Sequence, residues 1–301
     1  MKDITSKPDT LRSALATATL HAPAEVIELV RSGGIEKGDP VEAARTAAYL
    51  AAKKTWDLLP LCHPLPIQNI DVDITPEETS IRIETRVEVV AGTGVEMEAL
   101  TAASIAALTL YDMLKPHAGT DLSIGDIRLL KKTGGKSQYR RTITPVVTGS
   151  LILAADSSHD AQRRSKTLST VQARLGDAGI DTGEPVVLED APERLQDAIQ
   201  AALADGPALI VVVGGTGIGP QDQSVETVEA LIETPMPGIM EAARSHGQRR
   251  TPFAMLSRGV AGLAGRTLII TLPGSRNGAM ESLDAIQAGL IHTLEVLRHG
   301  R

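Results

Sequence analysis

The sequence predicts an α+β domain followed by a three-layer α/β domain with a mostly parallel sheet. Three observations carry this. Apolar and polar residues alternate with a period of two over Ile70–Ile74 and again over Ile81–Val89, giving two antiparallel strands with one wet face. After about residue 150, short unbroken apolar runs alternate with helical stretches, as in parallel strands covered on both faces. A charged stretch, Gln138–Gly149, separates the two rhythms and divides the chain into residues 1–147 and 148–301.

In order, Met1–Lys7 is a polar arm. Ala24–Ser32 forms a short helix closed by Gly33-Gly34. Asp39 caps a second helix, with Pro40 at its first position and Glu42 three residues on, running to about Thr55. Leu61-Cys-His-Pro-Leu-Pro66 is a rigid loop, because proline fixes φ and biases the residue before it away from helix. The turn Thr75–Ser80 joins the two alternating strands. A long helix covers about Val95–Lys115 and stops before Pro116. A strand over Leu122–Leu130 then leads into Lys131-Lys-Thr-Gly-Gly-Lys-Ser137.

The second half reads as strand 150–155, a polar helix, strand 185–188, helix 192–204 and strand 208–213. The loop Gly214-Gly-Thr-Gly-Ile-Gly-Pro220 precedes a helix from about Ser224. Strand 266–272, the loop Pro273–Gly278 and a helix to Arg298 repeat the pattern.

Composition narrows the function. Net charge is −7 and aromatics are 2%, which excludes broad nucleic-acid binding and base-stacking platforms, so anions must be met by local Lys and Arg clusters. The cores must be built from Ala, Val, Leu and Ile. The single Cys62 excludes an internal disulfide and fits a reducing compartment. The N-terminus lacks a signal-peptide pattern and no apolar run looks long enough to span a bilayer, so a cytoplasmic, membrane-free protein is expected.

In the first half, Asp112 and Lys115 share one face near the end of an apolar helix. Glu98 lies fourteen positions earlier, about 21 Å along the axis. If both serve one site, another segment or subunit must join them, so sites at subunit interfaces are expected. In the second half, Gly214–Gly219 follows an apolar strand and precedes a helix, where glycine lets backbone amides approach phosphate. Asp222, beside that loop, is placed to hold Mg²⁺. A plain strand-to-helix turn is the competing reading.

Five stretches of the first half stand in order: Lys37-Gly-Asp39, Ala51–Leu65, Thr93–Ala102, Tyr111-Asp-Met113 and Lys132–Ser137. Together they resemble the cyclic pyranopterin monophosphate synthase family (MoaC type) of molybdenum-cofactor biosynthesis. The resemblance implies conversion of 3′,8-cyclo-7,8-dihydro-GTP to the cyclic pyranopterin with loss of diphosphate, without a cofactor. It implies a ferredoxin-like fold in trimers paired as a hexamer. By position it implies Lys37, Asp112, Lys115 and Lys132 as catalytic residues, and Leu61, Cys62, His63, Glu96, Met97 and Glu98 as substrate-lining ones. A lysine crowded by cations has a lowered pKa and can transfer protons. On this reasoning Lys37 and Lys132 move protons, Lys115 holds phosphate, Asp112 orients Lys115 or shuttles a proton, and His63 meets phosphate or ribose.

The second half is similar to the molybdopterin adenylyltransferase family (MoaB/MogA type), through Gly214–Gly217 with Asp222, Met236–Glu241, Leu256–Gly262 and Leu272–Ser275. The resemblance implies transfer of AMP from ATP to molybdopterin with Mg²⁺. Asp222 and Asp190 match the family's acids, Gly214, Gly215, Thr216 and Gly217 its phosphate loop, and Glu241, Ser257 and Ser275 its binding loops. Where the family shows an acid followed by Ser-Gly, this chain has Arg163-Arg-Ser-Lys166. Two readings therefore compete: a bifunctional enzyme acting on pterin and nucleotide substrates as a homotrimer or homohexamer, and an active synthase fused to a non-catalytic pterin-binding or oligomerising module.

Overall fold

An alanine-rich strand, β1 (Thr10–His21), lies inside the first sheet. The computed structural model describes the chain except residues 6, 136–141, 155–160, 189–193, 221, 300 and 301 and the side chains of 161–164. It comprises two compact units, Met1–Tyr139 and Arg140–Arg301. Sequence reading left β1 unassigned. Alanine has low strand propensity, and Ala14, Ala16 and Ala18 hide the period-two pattern that Leu20 completes on the buried face.

The first unit continues with α1 (Ala24–Ser32), α2 (Pro40–Lys53), α3 (Thr55–Leu58), β2 (Asn69–Pro76), β3 (Ser80–Ala91), α4 (Glu96–Ala118) and β4 (Ser123–Thr133). The sheet is antiparallel, in the order β2-β3-β1-β4. Ala14, Ala16, Ala18 and Leu20 lie opposite Val87, Thr85, Ile83 and Ile81, and this buried face packs with the helices in one core. On the other face Arg82 and Arg86 are exposed, as the alternation predicts.

Helix ends follow local chemistry. Gly33 closes α1 at φ 72°, a left-handed conformation that favours glycine. Asp39 caps α2 by accepting the amides of Val41 (2.9 Å) and Glu42 (3.2 Å). Glu42 pairs with Arg45 at 3.1 Å instead of closing a capping box. Helix α4 does not stop before Pro116, which sits inside its last turn. By length and composition α4 could cross a bilayer, contrary to the sequence reading. Its apolar character has another cause here, since Ala99, Ala102, Ala103, Ala106 and Ala107 are fully buried against β1, β3 and α2.

The second unit comprises β5 (Val147–Leu153), α5 (Ala161–Asp177), β6 (Ile180–Asp181), β7 (Val186–Val187), α6 (Arg194–Ala204), β8 (Leu209–Val213), α7 (Ser224–Glu229), β9 (Thr234–Pro235), α8 (Pro237–Gln248), a 3₁₀ turn (Ala254–Leu256), β10 (Ala261–Ala264), β11 (Thr267–Leu272) and α9 (Arg276–His299). The sheet is mixed. Strands β5, β8 and β11 are parallel, and β6 and β7 add to β5 in parallel. Strands β10 and β9 form an antiparallel edge that the sequence did not announce, because two- and four-residue strands containing Gly262 carry no periodic signal. Leu151, Val211 and Ile270 face one core with α5, α8 and α9, while Ile152, Val212 and Ile269 face another with α6 and α7.

In the first unit, Ala16 of β1 is fully buried in the core. Ala16→Leu should lower stability by about 1–3 kcal/mol through overpacking, measured as a shift of the urea midpoint.

Candidate active sites

Lys37 is carried by the loop between α1 and α2, where Ile35 is buried and Gly38 takes φ 101°. Its ammonium reaches the C-terminal turns of α4. Lys37 Nζ donates to the Asp112 carbonyl at 3.2 Å and lies 3.5 Å from Asp112 Oδ2, while Lys115 Nζ donates to Oδ1 at 2.6 Å. The Lys115 hydrogen bond, then its charge and that of Lys37, hold the Asp112 carboxyl below the usual carboxylate range. In return Asp112 raises the Lys115 pKa. Desolvation, which would lower it, is outweighed for Lys115 by this carboxylate.

The other end of α4 carries a second group. Glu96 Oε1 accepts from Lys132 Nζ at 3.3 Å. Both line a cleft of about 440 Å³, together with Lys2, Lys7, Arg12 and Gly135. Sequence reading missed Lys2 and Lys7, which lie in the polar arm, and Arg12, which sits on the unassigned β1. The Gly134-Gly135 pair of the Lys-Thr-Gly-Gly run has a packing reason. Both residues have positive φ, and a Cβ at either would lie 2.0 Å from the Leu11 carbonyl oxygen or the Arg12 guanidinium. Lys136 and Ser137 lie outside the described residues.

Glu98 is 4% exposed, and burial, reinforced by the Glu96 charge, pushes its carboxyl pKa up. Burial also raises the Cys62 thiol, with the Glu98 charge adding to the rise. The Leu61–His63 loop therefore belongs with this end of α4. Cys62 and His63 are half-buried, while Leu61 and Met97 are exposed. Within the chain, Lys37, Asp112 and Lys115 form one group and Lys132 and Glu96 another. Sixteen helical residues, about 24 Å, separate Glu96 from Asp112.

In the second unit, the loops after β8 and β11 leave the carboxyl ends of neighbouring parallel strands, where α/β sheets bind ligands. Gly214 N–H donates to the Leu272 carbonyl at 2.9 Å and joins the two loops. Gly214 and Gly215 have φ of 96° and 65°, and a Cβ on Gly215 would meet the buried Ser224 hydroxyl at 2.3 Å. Among the described residues the amides of Gly215, Thr216, Gly217 and Ile218 have no protein acceptor, so they remain available to an anion. Asp222 Oδ2 accepts the Gly219 amide at 2.8 Å and closes the loop on itself.

Arg258, whose role the sequence reading did not single out, braces this loop. Its backbone amide donates to Thr216 O at 2.9 Å, Nε to Gly217 O at 2.7 Å and Nη2 to Asp222 O at 2.7 Å, and Nη1 pairs with Glu226. Arg258 also lines a cleft of about 620 Å³ with Ser257, Met240 and Arg244. Ser275 Oγ accepts the Gly278 amide at 3.3 Å at the start of α9. Glu241 is exposed on α8, and Asp190 lies outside the described residues.

The raised Glu98 pKa fixes a sign. The unfolded chain releases this proton at lower pH than the folded one, so stability is greatest below the ordinary glutamate range and falls as pH rises toward the raised value. Glu98→Gln should therefore melt above the wild type near pH 7 and lose that advantage near pH 4, checked by thermal melts across the interval.

Residues 1–135 match the MoaC family, and residues 144–293 match a probable molybdopterin binding domain. The chain is 40% identical over 311 residues to the molybdenum cofactor biosynthesis bifunctional protein of Synechococcus elongatus, covering 99% of this chain and 97% of that one. It is 35% identical over 302 residues to the protein of the same description from Chlorobaculum tepidum, covering 99% and 94%. The crystal structure of the molybdopterin biosynthesis enzyme MoaB from Thermus thermophilus aligns at 34% identity, covering 51% of this chain and 98% of that chain with a TM-score of 0.47. The chain belongs to the family of bifunctional molybdenum cofactor biosynthesis proteins, with a MoaC part followed by a MoaB/MogA-like part.

Proposed function

We propose that the first unit converts 3′,8-cyclo-7,8-dihydro-GTP to cyclic pyranopterin monophosphate and releases diphosphate. The observation that carries this is the contact of Lys37 and Lys115 with Asp112. The substrate's triphosphate needs several cations, and Lys2, Lys7, Arg12 and Lys132 line one cleft. Closing the cyclic phosphate joins a sugar-derived oxygen to the α-phosphorus and breaks its bond to the departing diphosphate. Lys115, kept charged by Asp112, suits phosphate binding. Asp112 stays ionised, which suits orientation of the two lysines better than a proton shuttle. Lys37 and Lys132 are the proton-transfer groups, His63 meets phosphate or ribose, and Leu61, Cys62, Met97 and Glu98 line the substrate pocket. The two ends of α4 serve one site when a second copy supplies the missing end, in a homotrimer or homohexamer. With α1–α3 taken as the first crossover, the order of strands and helices and the sheet order β2-β3-β1-β4 support a ferredoxin-like arrangement.

The second unit, in this reading, binds molybdopterin and adenylylates it with ATP in the cytoplasm. The loop amides of Gly215–Ile218 suit a phosphate. The described residues contain no cluster of three or more acids, His or Cys for a metal. Mg²⁺ is commonly held through one or two carboxylates plus substrate phosphates, and Asp222 keeps Oδ1 for that task. Bound there, the ion would neutralise charge at the transferring phosphate. The run Arg163–Lys166, lacking the acid and glycine of the family pattern, favours the second reading, a pterin-binding module without transferase activity.

Lys37→Ala should lower diphosphate release by about 10²–10⁴-fold with an unchanged melting curve; near-normal turnover would remove Lys37 from the mechanism. Asp222→Ala should abolish AMP incorporation while molybdopterin still binds. Binding without incorporation by the wild type would establish the module reading.

A further inference from the structure

We propose that Pro116 is a positioning residue for Lys37, acting by leaving the Asp112 carbonyl to the lysine ammonium. The inference rests on the reading of Lys37 as a proton-transfer group. In an unbroken helix the carbonyl of residue 112 accepts the amide of residue 116. Helix α4 continues to Ala118, and the Gly119 amide still bonds the Lys115 carbonyl at 3.0 Å. Pro116 has no N–H to offer, and its ring crowds the carbonyl four residues earlier. That oxygen needs another donor, and Lys37 supplies it at 3.2 Å, closer than its 3.5 Å approach to the carboxylate.

The second acceptor matters because the ion pair alone holds loosely. The side chains of Lys37 and Asp112 are 47% and 59% exposed, and such pairs fix geometry poorly. The carboxylate is also shared with Lys115. The carbonyl, by contrast, is anchored in the helix backbone and gives the ammonium a fixed direction. It also holds the cation at the C-terminal end of α4, where the helix dipole favours positive charge. Restoring an amide at residue 116 would compete for this oxygen.

Pro116→Ala in the full chain tests this. Alanine is the best helix former, so the melting temperature should not fall. The kcat for diphosphate release from the cyclised GTP intermediate should drop about fivefold, as for one lost hydrogen bond, with KM nearly constant. Lys37 should react faster with acetic anhydride, read by mass spectrometry against Lys115 as internal reference, which a purely structural proline would not cause. Unchanged kcat or unchanged Lys37 labelling overturns the proposal. Full turnover by Lys37→Ala would overturn the catalytic reading of Lys37 instead, while the labelling comparison would still decide whether residue 116 governs its ammonium.

Discussion

The close approach of α4 to β1 and α2 underlies the rest of the first unit. With so few aromatic side chains, alanine must pack against alanine. Ala99, Ala102, Ala103, Ala106 and Ala107 of α4 are fully buried, as are Ala16 and Ala18 of β1 and Ala44 and Ala48 of α2. Small side chains bring backbones near one another, so each contact surface is nearly main chain and gives little under strain. Thr85 on β3 locks the seam by donating to the Ala99 carbonyl at 2.7 Å. Both charged groups of this unit hang from the rod so fixed, Glu96 at its start and Asp112 near its end.

The electrostatics at the two ends differ in kind. Asp112, Lys37 and Lys115 are exposed and compensate one another, so their pairing adds little to stability. Glu98 is buried, and its ionisation is opposed by desolvation. A carboxyl in that position keeps its proton to higher pH than an ordinary glutamate does. In the second unit, order comes from a cation instead. Arg258 donates to the carbonyls of Gly217 and Asp222, and among the described residues the amides of Gly215–Ile218 have no protein acceptor.

Much of this was legible in the sequence where local rules decide. The hairpin of β2 and β3 followed from alternation, the start of α2 from Asp39 and Pro40, and the end of α1 from Gly33. Reading failed where tertiary contacts decide. Strand β1 is invisible to propensity because its core face is alanine, and Arg12 was lost with it. Pro116 looked like a helix stop because only the fold provides Lys37 as a substitute donor. The antiparallel edge of β9 and β10 is too short to declare itself. Lys37, Asp112 and Lys115 lie together while Lys132 stands with Glu96 at the other end of α4, and the bracing by Arg258 has no local signal, since nothing in the sequence reveals which carbonyls it will hold.

Each residue in a helix turns the chain by about 100° and advances it about 1.5 Å. A single insertion between Glu96 and Asp112 would swing one cluster to a different azimuth while the alanine stripe lost its phase with β1. Length between those two acids is therefore fixed more tightly than the identity of most residues between them, and natural indels should be confined to loops such as that between β2 and β3.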